Sequence, residues 1–377
     1  MALPTFSEMR PELGQPVEDL DTPIVVGDLD VLERNLETYR RIAEENDVSV
    51  RSHTKAHKIP SIARLQEETL GGGVLCQKLS EAEVMARNGI EDILLVCPVV
   101  SEAKLNRLFW VDAHTKHFAT MIDCPGNITP LQKAAAARDT TVNVVLELDV
   151  GLGRMGALPG EDAVETAEFI AEQPNLDLEG LLGHDAHVTL ASETEAEYEG
   201  GCAEVAADLE RTVDMLDDAG IEVDVVTSGC SATARFIAPH DIVTELDPGR
   251  YVFNDASLLE SRVDIDLADC GMTVLTTVIS RPTADRAIVD AGSKTISYGG
   301  SPNPVPKNRN DISFEGKSSE HGSIDVSEAE TNVEVGDRLE FVVPNLYGAV
   351  NLQDTIPGVR DGRVEEVWHV EARGKDK

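Results

Sequence analysis

The sequence reads Arg51-Ser52-His53-Thr54-Lys55-Ala56-His57-Lys58 between an extended run, Asp47–Val50, and a helical pattern. Side chains alternate between the two faces of a strand, so Arg51, His53 and Lys55 are expected to point the same way. A buried charge without a partner is strongly unfavourable, so this row of cations needs an anion unless it lies on an exposed edge strand. We therefore predict a strand that binds an anion and then runs into a helix.

Short β-rich runs alternate with amphipathic stretches from about residue 23 to residue 246. Leu29, Leu32, Leu36, Tyr39 and Ala43, for instance, recur at spacings of three and four, which is typical of one helix face. The predicted strands are 23–26, 48–55, 74–77, 92–96, 118–122, 142–150, 178–183, 223–227 and 242–246. This alternation favours a (β/α)8 TIM-type barrel. An open doubly wound sheet is the alternative, but its glycine-rich turn after the first strand is absent.

The hydrophobic period changes to two after about residue 260. The runs 273–279, 287–290, 338–343 and 364–370 alternate as strands do, with no long amphipathic helix between them. We therefore predict an N-terminal segment, 1–20, that packs on the C-terminal domain, a cofactor-binding barrel, 21–260, and an antiparallel β domain, 261–377. Residues 298–320 are rich in Gly, Ser, Asn and Pro and are predicted to form a long functional loop.

The chain has 69 acidic and 32 basic residues, a net charge of −37. Acidic residues spread over the predicted helices indicate a solvated surface suited to a high-salt, halophilic cytoplasm. Nucleic-acid binding needs a basic footprint and is excluded. The six cysteines form no redox or zinc motif, which indicates a reducing compartment. With neither a signal peptide nor a long apolar run, we expect a soluble cytoplasmic protein without a membrane partner.

Further polar residues fall at the ends of other predicted strands, the rim where such barrels place their sites. Gln77 follows one strand, Arg154 lies in a glycine-laced turn, and His184 ends another strand. The small residues of 228–233 precede a helix and offer backbone N–H groups to an anion. Gly249 belongs to a second glycine turn. Each feature alone is explained as a turn or a core histidine, but their common position indicates one site.

The ligand that suits this rim has a phosphate, an aromatic ring and an aldehyde that a lysine can attack, which describes pyridoxal 5'-phosphate. Lys55 is the expected attachment point because it points the same way as Arg51 and His53, whereas Lys58 lies past the strand. Neighbouring cations lower the pKa of a lysine and make it a better nucleophile. The chain is therefore expected to be an enzyme.

Taken together, these motifs resemble the D-threonine aldolase / D-serine dehydratase family of fold-type III pyridoxal-phosphate enzymes, relatives of alanine racemase. The resemblance covers nearly all of residues 21–374. It rests on Asp21-Thr22-Pro23, Arg51-x-His53-x-Lys55-x-His57-Lys58, Gln77-Lys78-x-Ser80-Glu81-Ala82, Thr244-Glu245-x-x-Pro248-Gly249-x-Tyr251-Val252-Phe253-x-Asp255, Ile288-Val289-Asp290-Ala291-Gly292-Ser293-Lys294, Glu320-His321-Gly322 and Val350-Asn351-Leu352. It implies an alanine racemase-like barrel followed by a β domain, a head-to-tail homodimer, and Lys55 as the cofactor lysine.

The same resemblance implies that the turns 228–233 and 249–251 hold the phosphate and that His184 stands near the ring. The predicted cofactor-binding residues are Lys55, His53, Gln77, Arg154, His184, Ser228, Gly229, Cys230, Ser231, Gly249, Arg250 and Tyr251.

One segment departs from the family pattern. In the family, a Pro-Asn pair is followed by His and then Cys or Asp, which bind a divalent metal (Mn, Mg or Zn) that grips the substrate's β-hydroxyl. Here Leu346 follows Asn345, and one residue fewer precedes Val350-Asn351-Leu352. Because these residues cannot ligate a hard cation as the family pair does, we predict no metal site near Asn345–Asn351.

The resemblance implies a lyase that acts on D-configured β-hydroxy amino acids by retro-aldol cleavage to glycine and an aldehyde. Lys55, His184, His321 and Tyr347 are the predicted catalytic residues, with Asp354 as another candidate base. One alternative is a D-serine or 3-hydroxyaspartate dehydratase. Another is a metal-independent racemase that uses Lys55 on one face of Cα and His184 or Tyr347 on the other. A non-catalytic cofactor carrier is disfavoured by the extra β domain.

Overall fold

The computed structural model describes residues 10–297 and 302–377. In chain order the strands are β1 (Ile24–Asp28), β2 (Ser49–His53), β3 (Gly71–Cys76), β4 (Asp92–Leu95), β5 (His117–Ile122), β6 (Val142–Leu148), β7 (Leu176–Gly183), β8 (Val225–Thr227), β9 (Glu245–Leu246), β10 (Met272–Thr283), β11 (Arg286–Val289), β12 (Val305–Pro306), β13 (Ser313–Lys317), β14 (Gly322–Asp325), β15 (Arg338–Val342), β16 (Thr355–Arg360) and β17 (Arg363–His369). The helices are α1 (Leu29–Asn46), α2 (Pro60–Leu70), α3 (Leu79–Arg87), α4 (Glu102–Asp112), α5 (Pro125–Ala136), α6 (Glu161–Ala171), α7 (Ala186–Ala191), α8 (Glu195–Asp218), α9 (Ala234–Ile237), α10 (Ala256–Ser261), α11 (Ser293–Ile296) and α12 (Leu346–Asn351). Short 3-10 turns lie at Val17–Asp19, Thr54–Ala56, Arg250–Val252 and Leu267–Asp269.

Strands β2 to β9 form a closed parallel barrel in chain order, which confirms the predicted TIM-type fold. The barrel closes where β2 pairs with β9, with Ser49 opposite Glu245. Inside it, side chains from five strands form a buried apolar cluster that includes Leu75, Leu94 and Met121. The interior is therefore a packed core, and ligands have to bind at its ends.

Helix α1 shows how the outer layer forms. The side chain of Asp28 caps it by accepting a hydrogen bond from the amide of Val31 at 3.0 Å. The predicted face of Leu29, Leu32, Leu36, Tyr39 and Ala43 is buried, and each such Leu contributes roughly 1.5–3 kcal/mol. No helix within the described ranges is long and apolar enough to cross a membrane.

Strand β1 lies outside the barrel, so our prediction that 23–26 forms the first barrel strand is wrong. It pairs antiparallel with β10 and parallel with β16, in the sheet of the C-terminal domain. Gly27 allows this packing, because a Cβ there would lie 2.5 Å from the indole of Trp368. The first barrel strand is therefore β2, and the C-terminal sheet is mixed rather than purely antiparallel.

The C-terminal domain contains the four predicted strands as β10, β11, β15 and β17. The segment predicted as a loop, 298–320, contains two further strands: β12 pairs with β15, and β13 pairs with β14. Main-chain pairing therefore orders much of this Gly- and Ser-rich segment, whereas residues 298–301 lie outside the described residues.

The N-terminal segment contacts the last strand of this domain. The amide of Gly14 donates to the carbonyl of Val364 at 2.7 Å, and the amide of Val364 donates to Gln15 at 2.9 Å. Residues 1–9 of the predicted segment 1–20 lie outside the described residues.

Candidate active site

Lys55 lies at the carboxyl end of the barrel, in the 3-10 turn that follows β2. The neighbouring Thr54 hydroxyl donates to the carbonyl of Leu75 at 3.1 Å and to Glu81 at 2.9 Å, which fixes the turn. The Lys55 amine donates to Oε1 of Gln77 at 3.3 Å. Burial lowers the pKa of Lys55 to about 8, and the positive charge of Arg154 adds to this. A lysine with this pKa is neutral in about a tenth of the molecules at pH 7, far more than an ordinary lysine, and is therefore the better nucleophile.

A cavity of about 170 Å³ opens beside Lys55, and a second, smaller pocket continues from it. The two share His53, Lys55, His184 and Asp247 in their walls. The predicted site residues that line them are His53, Lys55, Gln77, Arg154, His184, Cys230, Ser231, Gly249, Arg250 and Tyr347. The structure thus brings most of the sequence-predicted set together at one end of the barrel.

One wall of the cavity consists of the two predicted anion-binding turns. The hydroxyl of Ser231 joins them, since it accepts from the amide of Gly249 at 3.0 Å and of Tyr251 at 3.2 Å. The amides of Ser231 and Arg250 donate to no protein group within residues 10–297 and 302–377. At Gly249 a Cβ would lie 3.1 Å from the Cβ of His53, so the backbone itself borders the cavity. Free amides beside small side chains suit a phosphate group.

The two pockets are also lined by acidic groups that the sequence analysis did not assign, Asp247 and Glu147. Nδ1 of His184 donates to Oδ2 of Asp247 at 3.0 Å. Glu147 pairs with Arg154 at 3.3 Å, and burial raises the pKa of this carboxyl to about 7. The second oxygen of each acid is buried without a hydrogen-bond partner among the described residues. Glu147 could have been found from the sequence, because it is the single acidic residue in the mostly apolar run 142–148.

Tyr347 lies in the first turn of α12, with its ring between two cations. The Lys55 amine is 5.7 Å and the Arg250 guanidinium 5.3 Å from the ring centre. The helix is held by Asn345, which caps the amide of Gly348 at 3.2 Å, and by the Leu346 amide, which donates to Asp255 at 2.8 Å. Burial raises the pKa of Tyr347 to about 12, so its phenol stays neutral near pH 7.

Four other predicted site residues do not line the cavity. The Ser228 hydroxyl donates to the carbonyl of Gly183 at 2.7 Å, and the adjacent Gly229 turns the chain with φ +114°. The Tyr251 hydroxyl lies behind the site, hydrogen-bonded to Ser52 at 2.8 Å. His321 lies on the exposed turn between β13 and β14, so this chain does not bring it to Lys55. The further candidate Asp354 is also exposed, and it pairs with Arg373.

Arg51 does meet anionic groups, as expected for this row of cations, but the expectation that it lies together with His53 and Lys55 is wrong. Its guanidinium pairs with Asp92 at 2.5 Å and Glu245 at 2.9 Å, beside a different cavity that His53 and Lys55 do not line. Protein carboxylates therefore neutralise this cation.

The residues at the mouth of the barrel fit pyridoxal phosphate in three respects: a nucleophilic amine, an anion-binding wall and buried carboxylate oxygens that have no hydrogen-bond partner among the described residues. In the segment that departs from the family pattern, Leu346 is fully buried and its side chain has no atom that could ligate a cation. Over residues 10–297 and 302–377, no group of three or more His, Cys, Asp or Glu side chains is arranged to hold a metal ion.

The family description "Alanine racemase, N-terminal domain" matches residues 27–256, and a serine dehydratase domain description matches residues 271–359. A 3-hydroxy-D-aspartate aldolase of Paracoccus denitrificans is 33% identical over 96% of this chain and 94% of its own length. A D-threonine aldolase of an Arthrobacter species is 32% identical over 96% of this chain and 95% of its own length. The crystal structure of D-threonine aldolase from Filomicrobium marinum superposes with a TM-score of 0.91 at 32% identity, covering 97% of this chain and 99% of that one.

Proposed function

This chain belongs to the family defined by the alanine racemase N-terminal domain, and from that premise we propose that it is a pyridoxal-phosphate-dependent lyase of D-configured β-hydroxy amino acids. The reaction is retro-aldol cleavage to glycine and an aldehyde. One observation carries the proposal: a buried lysine with a pKa of about 8 faces a cavity whose wall suits a phosphate. The substrate class comes from the aldolases that match this chain over both domains.

When bound, pyridoxal phosphate accepts the electron pair that a broken bond leaves on Cα. Lys55 would hold its aldehyde, and the turns 228–233 and 249–251 would hold its phosphate through main-chain amides and the Ser231 hydroxyl. His53, Gln77 and Arg154 line the adjoining pocket and would orient the ring. Burial and the nearby charge of Lys55 lower the pKa of His53 well below its ordinary value, so its imidazole stays neutral.

Lys55 also has the properties that the proton transfer requires. Cleavage of Cα–Cβ turns the β-hydroxyl into an aldehyde with loss of one proton, and Cα must gain one proton to become glycine. A single group can therefore take the first proton and return one to Cα. The Lys55 amine, with its pKa of about 8, is suited to both steps near neutral pH.

Tyr347 is proposed to contact the substrate's β-oxygen. Its ring lies beside the Lys55 amine, and a phenol with a pKa of about 12 donates a hydrogen bond rather than accepting a proton. The Leu346 side chain has no atom that could ligate a metal ion. We therefore propose that protein side chains, rather than a metal ion, contact the β-oxygen of the substrate, and that turnover needs no added divalent metal.

Cofactor uptake should report the pKa of Lys55 directly. Only the neutral amine attacks an aldehyde, so the cofactor-free protein is expected to bind pyridoxal phosphate faster as pH rises and to level off above about pH 8. Stopped-flow absorbance measures this, with Nα-acetyl-lysine as the reference amine, whose rate should rise to about pH 10. If the rate of cofactor binding to the protein also rises up to about pH 10, the Lys55 amine does not have the lowered pKa that its burial implies.

A second candidate is β-elimination to a 2-oxo acid and ammonia, which the match of residues 271–359 to a serine dehydratase domain favours. Purified protein in molar salt is incubated with D-threonine, D-serine and D-alanine, with Mn²⁺ or with EDTA. We expect acetaldehyde and glycine from D-threonine, at rates that EDTA does not reduce. A 2-oxo acid as the main product supports the dehydratase, L-enantiomer supports a racemase, and EDTA-sensitive turnover contradicts the metal-independent mechanism.

The acidic composition supports a halophilic cytoplasmic enzyme, and Leu190, 83% exposed at the cavity mouth, supports a homodimer that covers this residue. Light scattering of the assay sample at low and molar salt tests both proposals. A stable monomer in molar salt contradicts the proposed homodimer. A protein that is fully stable without salt contradicts the proposed adaptation to high salt.

A further inference from the structure

Four polar side chains behind the cavity are joined by consecutive hydrogen bonds, and we call this series the hydrogen-bond chain. Nε2 of His57 bonds to Oε1 of Gln66 at 3.0 Å, and Nε2 of Gln66 donates to the Tyr251 hydroxyl at 3.0 Å. The Tyr251 hydroxyl bonds in turn to Oγ of Ser52 at 2.8 Å. All four residues are 0% exposed, so a broken bond leaves a buried polar group without compensation from water.

The hydrogen atoms of this series have one consistent arrangement. Nδ1 of His57 accepts from the main-chain amide of Ile59 at 3.1 Å, so we assign the ring hydrogen to Nε2, which donates to Gln66. Burial lowers the pKa of His57 to about 4, and the ring therefore stays neutral in this form. Tyr251 accepts from Gln66, which leaves its own hydrogen to be donated to Ser52. Because each side chain donates to the next, a change at one position affects the whole hydrogen-bond chain.

The hydrogen-bond chain joins the turn of Lys55 to the anion-binding wall. His57 ends the 3-10 turn that carries Lys55. Tyr251 follows Gly249 and Arg250 in the second anion-binding turn, and its amide donates to the Ser231 hydroxyl, which belongs to the first, at 3.2 Å. The two parts of the cavity are therefore connected through buried side chains as well as through the backbone.

The separation of these two parts decides whether one molecule can reach both. We propose that Tyr251 is a positioning residue. Together with Gln66 and His57 it fixes the distance between the Lys55 amine and the anion-binding wall, so that the aldehyde and the phosphate of pyridoxal phosphate bind at the same time. When both ends of a molecule bind, the second contact is intramolecular, and the affinity that it adds depends on this distance. The inference rests on the proposed function, because it assumes this cofactor.

A purely structural role for the Tyr251 hydroxyl is the alternative, and Tyr198 provides the comparison. Tyr198 is also 0% exposed and stacks on Phe236, with 5.0 Å between ring centres. Its hydroxyl donates to one main-chain carbonyl, that of Ser261, at 2.7 Å, and it lines neither pocket. The Tyr251 hydroxyl instead bonds to side chains of two elements, α2 and β2. The two tyrosines thus have equal burial and different connections to the cavity.

The test compares two probes on the cofactor-free protein. One is pyridoxal 5'-phosphate, and the other is 5'-deoxypyridoxal, which keeps the ring and the aldehyde and lacks the phosphate. Absorbance and fluorescence titrations give their dissociation constants, and the constant of 5'-deoxypyridoxal divided by that of pyridoxal phosphate measures the gain from binding at both ends. We expect this ratio to fall about 10-fold in Tyr251→Phe, as for the loss of one hydrogen bond. The constant of 5'-deoxypyridoxal should change little. Gln66→Met, which removes both amide contacts, should lower the ratio at least as much.

Tyr198→Phe is the matched control, because it removes a buried tyrosine hydroxyl outside both pockets and should keep the ratio of the unsubstituted protein. An unchanged ratio in folded Tyr251→Phe and Gln66→Met overturns the inference. An equal loss of affinity for both probes also overturns it, because a general loosening of the structure would produce that result. If neither variant folds, the hydrogen-bond chain acts on stability rather than on position, and the inference is wrong. These outcomes leave the proposed function intact, which fails only if the unsubstituted protein binds neither probe.

Discussion

Lys55→Ala is expected to give a folded protein that no longer attaches pyridoxal phosphate and that has lost at least ~10²–10⁴-fold of its lyase activity, the range for removal of a positioned proton-transfer group. The amine is the group that we propose to attach the cofactor's aldehyde, and it also serves both proton transfers. The turns that hold the phosphate are unchanged, so weak non-covalent binding should persist. Absorbance after gel filtration and the rate of glycine formation measure the two effects.

Lys58→Ala is the control for this prediction, since it removes a lysine three positions away. Lys58 pairs with Asp376 at 2.7 Å and does not line the cavity. We expect Lys58→Ala to keep the bound-cofactor absorbance and most of the activity. If Lys58→Ala loses the absorbance and Lys55→Ala keeps it, the assignment of the cofactor lysine is wrong.

Arg51→Ala is expected to lower the free energy of unfolding by ~3–5 kcal/mol, because removal of one partner leaves charged groups buried without compensation. The Arg51 side chain is 11% exposed and joins Asp92 to the nearly buried Glu245. These two acids come from β4 and β9, so the loss acts on the closure of the barrel. Urea unfolding followed by circular dichroism measures the change.

Arg40→Ala provides the comparison, because Arg40 pairs with Glu37 on the exposed side of α1. Solvent screens such a pair, and we expect little change in stability. If the two substitutions have equal effects on the urea midpoint, the Arg51 network does not stabilise the barrel as we describe.

Most of the fold could be predicted from local sequence patterns. The spacing of three and four in α1 and the alternation of strand and helix patterns show which side chains are buried. The partner of β1 was not predictable in this way. Residues 24–28 have the same apolar character as the barrel strands, and only pairing with residues 272–275 and 358–359, far along the chain, distinguishes them. The strands within 302–317 were missed because main-chain pairing, rather than side-chain period, defines them.

The site residues were predictable where they follow strands at one rim, as Lys55, Gln77, His184 and Gly249 do. The prediction failed where side-chain direction depends on a turn. Tyr251 follows Arg250 in the same 3-10 turn, yet its ring packs behind the site on Tyr39, with 4.0 Å between ring centres. The pairing of Arg51 could not be anticipated either, because Asp92 and Glu245 lie 41 and 194 residues away along the chain.

The place of β1 between β10 and β16 has a consequence for biosynthesis. This strand leaves the ribosome more than 240 residues before β10 and more than 320 residues before β16. At ~5–20 residues per second, an apolar segment waits on the order of tens of seconds for its partners, while the barrel that follows it can already close. The nascent chain is thus exposed to aggregation at β1, and a chaperone that shields this strand would have the most to contribute.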